Sequence, residues 1–356
     1  METDAVELYP LAPDPHGLEQ WMPGHVPDGT DRSLLAERIH RSLVAPVREV
    51  MEAGGRRWRP AIGGQVVSVL GGDRARFALV LAAMEIAHTG SLIVDDVEDG
   101  AALRRGRPAA HLVHGVPTAL NAGTNAYFAM DVALRRCVPD DVLLRGEMRE
   151  RYMEALRAAH TGQALDIQGH REEMDRAVAR GDAAGLLEVV RLTHRLKSGA
   201  VVGAVLEMAA LFTAAGSALR GALTAFGSAL GTAYQIADDV ADLHGVTRQG
   251  KATRRAAEDL HHGKITMPLA HSVRLMPPPE LDAVWRTLRT GAPSLREVER
   301  AREAIEACGA PAACAEEARA LLDGAWTRLR PLLPDEPAAD RIHDSARAFV
   351  DGSLFS

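Results

Sequence analysis

Ser91–His111 reads SLIVDDVEDGAALRRGRPAAH. Apolar and small residues run straight into Asp95, Asp96, Glu98 and Asp99, and Arg104 and Arg105 follow at once. The residues leading in, Phe77–Val94, are apolar almost all round, as in a helix at the centre of a bundle. Asp95 and Asp99 stand four apart, so on a helix they stack on one face. Two such carboxylates repel each other unless a cation lies between them. Mg2+ suits that position, because it takes oxygen ligands and shares its shell with phosphates. A solvated helix end would explain one cluster of this kind.

There are two. DDVAD, Asp238–Asp242, ends a second apolar stretch, AYQIADDVADLHG. In it Leu219, Leu223, Phe226, Leu230, Ala233 and Ala237 recur at steps of three and four, the stripe of a helix. Leu230, Tyr234, Asp238 and Asp242 continue one face at steps of four, so these acids extend an inward surface. From Ser33 onward β-branched alternation is nearly absent, which predicts an all-α chain. Residues 1–30 carry Pro10, Pro13, Pro15, Pro23 and Pro27 and read as an extended arm. Residues 31–356 read as a single all-α domain. A loop at Pro277, Pro278 and Pro279 precedes its last third, which packs on the rest.

Composition narrows the partners. The chain has 356 residues, 47% hydrophobic and 25% charged, the balance of a soluble globular protein. A net charge of −7 argues against nucleic acid, so the local arginines serve something smaller. Cys137, Cys308 and Cys314 are too scattered for a disulfide framework. The start, METDAVELYPLAPDPHG, has neither the basic nor the apolar region of a signal peptide. No uninterrupted apolar run reaches roughly 18 residues, so no membrane span is expected and the cytoplasm is the expected compartment. His111 with His114, and His261 with His262, lack the partners of a zinc site. No nucleotide-binding glycine loop and no GxSxG elbow is present.

The cations fit a diphosphate. GGRRWRP, Gly54–Pro60, sets Arg56, Arg57 and Arg59 after two glycines, and arginine forks bind phosphate bidentately. Lys197 lies in RLKSGA, Lys251 in RQGKAT and Lys264 in HGKITMP.

With these residues in hand, the chain resembles the trans-isoprenyl diphosphate synthases, the polyprenyl synthetase family. GGRRWRP resembles the family's GGKRxRP element, and HTGSLIVDDVEDGAALRRGRPAAH its first aspartate-rich motif with the RRGxP tail. HTGQALDI resembles the GQxxD element and RLKSGA the KT element. YQIADDVADLHG resembles the second aspartate-rich motif and EDLHHGKITMP the closing DxxxGK element. The six motifs come in the family's order, from Gly54 to about Ser272.

The resemblance implies an isoprenoid synthase-type helical bundle around a deep central cavity, with two facing aspartate-rich motifs. Asp95 and Asp99 would bind Mg2+, with Asp96 beside them. Asp238 would do so from the other wall, with Asp239 and Asp242 supporting, and three ions per active site are expected. Arg104, Lys197, Gln235, Lys251 and Lys264 would hold an allylic diphosphate (dimethylallyl, geranyl or farnesyl). Ser198, where the family has threonine, joins them. Arg56, Arg59, His88 and Arg105 would hold isopentenyl diphosphate. Asp95, Asp99, Arg104, Lys197, Asp238 and Lys264 would then be catalytic. The leaving diphosphate is stabilised as its C–O bond breaks, and the double bond of isopentenyl diphosphate attacks the allylic cation. The released diphosphate takes the proton. A homodimer is implied as well. Besides Ser198, three departures stand out: Arg56 replaces a lysine, NAGTNAYF lacks an acid common there, and extra residues separate Lys251 from Asp259.

Product length follows from the residues below the first acids. Ser91 and Gly90 lie four and five residues before Asp95, and members of the family that stop at farnesyl diphosphate tend to carry bulky aromatics there. Ala87 is also small. Met84 lies eleven residues before Asp95 on nearly the same face, roughly 16 Å down a helix. That depth suits three isoprene units and a C20 product, and the stretch resembles eukaryotic-type geranylgeranyl diphosphate synthases in DDVED and NAGTNAYF. Farnesyl and geranylfarnesyl diphosphate synthases are the neighbouring alternatives. A class I terpene cyclase needs a different second site and an aromatic cavity, and only 4% of this chain is aromatic. A squalene-type synthase needs DxxED twice, and DDVAD does not supply it. A non-catalytic subunit would show degraded aspartates, whereas both clusters are intact.

Overall fold

In the computed structural model, residues 2–26, 28–248, 251–254, 256–291 and 293–354 are described. The chain divides into two compact units, Met1–Glu150 and Arg151–Ser356.

The first unit holds α1 (Glu2–Leu8), α2 (Leu18–Trp21), α3 (Arg32–Ile39), α4 (Ala45–Glu52), α5 (Trp58–Val69) and α6 (Arg74–Glu98). A short antiparallel hairpin follows, β1 (Leu103–Arg104) and β2 (Arg107–Pro108). Then come α7 (Ala110–His114), α8 (Val116–Asn125) and α9 (Ala129–Cys137). Asp73 starts α6, its carboxylate accepting the N–H groups of Ala75 at 2.9 Å and Arg76 at 3.0 Å. The apolar stretch Phe77–Val94 lies inside this helix, which packs on α5, α8 and α9. By length and composition α6 could cross a membrane, but 67% of its most apolar window is buried inside the protein, as in a core helix.

The N-terminal arm is not extended. Its two short helices bury Leu8, Tyr9 and Leu18, and α1 packs on α6 and α9. The Tyr9 hydroxyl donates to Asn125 Oδ1 at 3.2 Å, and its ring meets Trp21 edge-on at 5.2 Å. Proline marked the turns, while the apolar residues between them supplied the burial.

α10 (Val142–Gln168) contributes residues to both units. The second unit adds α11 (Arg171–Arg180), α12 (Ala184–His194), a π-helical turn at Arg195–Gly199, α13 (Ala200–Phe212) and α14 (Ser217–His244). The hairpin β3 (Val246–Arg248) and β4 (Lys251–Arg254) leads to α15 (Glu258–His261) and α16 (Met267–Leu275). α17 (Pro278–Leu288), α18 (Leu295–Ala307), α19 (Ala310–Leu329) and α20 (Pro337–Leu354) complete it. α14 is the spine, packed by α13, α19 and α20, and it contains the predicted stripe, with Leu223, Phe226, Leu230, Ala233 and Ala237 fully buried. Pro278 and Pro279 belong to the first turn of α17 rather than to a loop. There the missing N–H groups cost no helical hydrogen bond.

Glu317 on α19 accepts from Arg191 on α12 at 2.7 Å and pairs with His271 on α16 at 2.9 Å. Burial pushes its carboxyl upward, but the bonds from His271 and Arg191 outweigh burial and hold it at about 2, against the usual 4.5. A depressed carboxyl stabilises the fold above pH 4.5, and that contribution is lost as pH falls toward 2. Glu317→Gln should therefore flatten the acid limb of a stability profile between pH 4.5 and 2. An unchanged limb in equilibrium unfolding would remove this triad from the acid response.

Candidate active site

In the first unit the cations are built by backbone turns. Gly55 has φ +153°, and a Cβ there would stand 3.0 Å from Arg105 Nη2, so the bare backbone lets the guanidinium lie against it. Arg105 Nη1 donates to the Val50 carbonyl at 2.8 Å. Arg59 lies 4.6 Å over the Trp58 ring, and Arg56 is half-buried on the loop before α5. Burial first, and then Arg59, Arg105 and Arg104, hold the His88 imidazole well below 6.5. A neutral ring in the field of three guanidiniums makes a site for an anion. Sequence reading named all four of these groups.

The acids of the first cluster diverge. Asp95, 22% exposed, and Asp99 stand at the end of α6 facing partly outward. Asp96 is fully buried: its Oδ1 accepts Arg104 Nε at 2.8 Å and a second, shorter bond from Arg104 Nη2. Its Oδ2 is buried without a hydrogen-bond partner. Burial outweighs the Arg104 bonds and holds this carboxyl above its usual value. Arg104 Nη2 also stands 3.6 Å from Asp95. Tyr127 was not foreseen as a site residue. Burial, then Glu98 and Asp95, push its phenol up to about 12, so it stays a protonated donor beside the acids. Its only signal in the sequence was its place in NAGTNAYF.

Gly90, one of the residues expected to set product length, also lies at a helix contact. A Cβ there would lie 2.3 Å from the Gly123 carbonyl oxygen and 2.6 Å from Ala126 Cβ, so its smallness serves the contact between α6 and α8. Ser91, half-buried, donates from Oγ to the His88 carbonyl at 2.8 Å, and Ala87 and Met84 are buried.

In the second unit, the π-helical turn presents Lys197 and Ser198. Lys197 Nζ meets Asp166 Oδ2 of the GQALD stretch at 2.8 Å. α10 comes this close because Gly162 has no Cβ, which would lie 2.4 Å from the Lys197 nitrogen. Ser198 Oγ donates to Gln235 Oε1 at 2.8 Å, so these two expected substrate ligands hold each other. Asp238 is half-buried, while Asp239 and Asp242 are buried. Asp239 accepts the Met267 N–H at 2.9 Å and lies 3.3 Å from His194 Nε2. Asp242 Oδ2 accepts the Asp259 N–H at 3.2 Å, and its carbonyl accepts that of Ala257 at 2.7 Å. Lys264 follows that segment, its Nζ 4.0 Å from Asp259 Oδ1. The side chain of Lys251 lies outside the described residues.

Of the six aspartates expected as metal ligands, Asp96, Asp239 and Asp242 are thus turned to protein donors. Burial of a carboxylate demands such partners. Asp95, Asp99 and Asp238 are half-buried instead of sealed. Among the described residues no three acids, histidines or cysteines gather into a closed metal cage. Open, hard oxygen donors without a cage are what Mg2+ uses when phosphates complete its shell. The Asp95 and Asp99 pair of the first unit fits that ion, and Asp238 of the second unit offers the same kind of donor.

Residues 40–305 match the sequence profile of the polyprenyl synthetase family. The chain belongs to that family. It is 25% identical over 319 residues to the geranylgeranyl pyrophosphate synthase of Geoglobus acetivorans, covering 89% of this chain and 93% of the relative. It is 32% identical to the farnesyl diphosphate synthase of Geobacillus stearothermophilus, over 61% of this chain and 71% of that one. Its fold matches a polyprenyl synthase from Caulobacter crescentus CB15, crystallised with calcium and isoprenyl diphosphate. That match has a TM-score of 0.73 at 25% identity, with 100% of this chain and 98% of the other covered. This polyprenyl synthetase is therefore an all-α prenyltransferase that makes prenyl diphosphates.

Proposed function

We propose that this polyprenyl synthetase joins isopentenyl diphosphate head to tail with an allylic diphosphate and stops at geranylgeranyl diphosphate. The carrying observation is the face of α6 below Asp95, where Ser91 and Ala87 are small and the buried Met84 lies deeper. On this reading Asp95 and Asp99 in the first unit, and Asp238 in the second, are the residues that hold Mg2+. When bound, that ion neutralises charge on diphosphate oxygens. Arg56, Arg59, Arg105 and neutral His88 bind and orient isopentenyl diphosphate. Lys197, Lys251 and Lys264 hold the allylic diphosphate, and Arg104 keeps Asp96 in place beside Asp95. A substrate C–O bond breaks toward these positive groups, and no side-chain base is required, since the departing diphosphate accepts the proton.

The experiment is chain-length analysis of the product from Mg2+, labelled isopentenyl diphosphate and each allylic starter. A C20 product is expected from the wild type. Ser91→Phe should shorten it to C15, and Met84→Ala should lengthen it by one or more isoprene units. An unchanged product in both variants would sink the cavity argument, and release of cyclic hydrocarbon alone would replace the synthase with a cyclase.

We also infer a homodimer, supported by large apolar side chains exposed on the first unit, including Leu112, Val113, Phe128 and Leu143. Sedimentation would read the mass directly. The three free cysteines support a reducing compartment such as the cytoplasm.

A further inference from the structure

Behind the second acidic cluster lies a buried pair whose histidine no motif singled out. His194, 7% exposed, ends α12, and its Nε2 stands 3.3 Å from Asp239 Oδ2. That same oxygen accepts the N–H of Met267, the first residue of α16, at 2.9 Å. The other oxygen, Oδ1, takes Gln235 Nε2 at 3.4 Å, and Gln235 in turn is held by Ser198. One carboxylate therefore ties three elements together. The first is the α12 end and π-helical turn, which carry Lys197. The second is α14, which carries Asp238. The third is the start of α16, which follows Lys264.

We propose that His194 is a positioning residue for the allylic diphosphate. By donating Nε2–H to Asp239, it fixes where Lys197, Asp238 and Lys264 stand with respect to one another. The physical reason is that a buried carboxylate losing a donor must turn toward another. Asp239 is the helical neighbour of Asp238, and successive helical residues point about 100° apart. A carboxylate that turns toward a new donor lengthens its bond to Gln235, and through Ser198 the turn bearing Lys197 loses its register with α14 and Asp238. The Met267 N–H would follow the same carboxylate, and with it the segment bearing Lys264. Affinity for one substrate diphosphate should respond before the fold does, because the surrounding apolar contacts of α14 are untouched. This role rests on the reading of the chain as a synthase using an allylic diphosphate.

The test compares three variants of the full chain. His194→Leu keeps the bulk and removes the donor. His194→Gln places an N–H near the position of Nε2, and His194→Asn places one near Nδ1 instead. Expected for Leu and Asn is a KM for the allylic diphosphate raised about tenfold, the scale of a lost hydrogen bond to a charged group. The KM for isopentenyl diphosphate and the product length should stay as in the wild type. Gln should restore the allylic KM to within about threefold. Wild-type kinetics in Leu, or an equal rise in both KM values, would overturn the role. If Leu does not fold, Gln and Asn decide, and identical behaviour of those two overturns it. A wild type that makes no prenyl diphosphate would instead defeat the underlying reading, so the two failures are distinguishable.

Discussion

Asp95→Asn should lower kcat about a thousandfold while leaving the melting temperature near that of the wild type. Asparagine keeps the shape of the side chain and removes its charge, so only what depends on the anion is lost. Asp95 is partly open, and Arg104 Nη2, 3.6 Å from it, is committed chiefly to Asp96. Its carboxylate reaches solvent, so its charge contributes less to the fold than a sealed one would. Turnover leans on it heavily, because removing one element of charge stabilisation at a leaving group typically costs two to three orders of magnitude, about 3–4 kcal/mol. Steady-state rates across Mg2+ concentrations, with thermal melting alongside, check both halves. A variant keeping more than a tenth of wild-type turnover would remove Asp95 from the metal-holding set.

Gly90→Val should act in the opposite way, costing about 3 kcal/mol of stability. The new Cβ would meet a carbonyl oxygen at 2.3 Å and another Cβ at 2.6 Å, and the contact is mutual, since a Cβ at Gly123 would lie 2.9 Å from the Gly90 oxygen. Backbone on both sides cannot yield as a flexible side chain can, so α8 must shift. The helix propensity gained on replacing glycine, a few tenths of a kcal/mol, is far too small to offset this. Denaturant unfolding measures the loss. Stability equal to that of the wild type would mean that α6 and α8 are not in contact at this point.

How much was legible in advance depended on how local each feature is. The helix of the second cluster was readable because its stripe recurs every three to four residues, and α14 spans it. The N-terminal arm was misread because its prolines were counted while Tyr9 was not. What orders Tyr9 is Asn125, far along the chain. The smallness of Gly90 was noticed but the contact it permits was not, since its neighbour Gly123 is visible only once two helices touch. Tyr127 lay inside NAGTNAYF without being singled out and His194 lay in no motif, and their roles come from acids that the fold brings beside them.

The sequence by itself determined the all-α class, the two acidic clusters at helix ends and the cations suited to a diphosphate. Each of these rests on residue type and on spacing within a few turns, because helical hydrogen bonds join residues four apart. Only the tertiary structure decided which carboxylates remain partly open. Asp95 and Asp96 are adjacent and chemically identical, yet one lies partly exposed and the other is sealed against Arg104. Asp238 and Asp239 divide in the same way, because His194 and Met267 close over the second. Burial and donors supplied from distant parts of the chain make that choice, and no local pattern contains it.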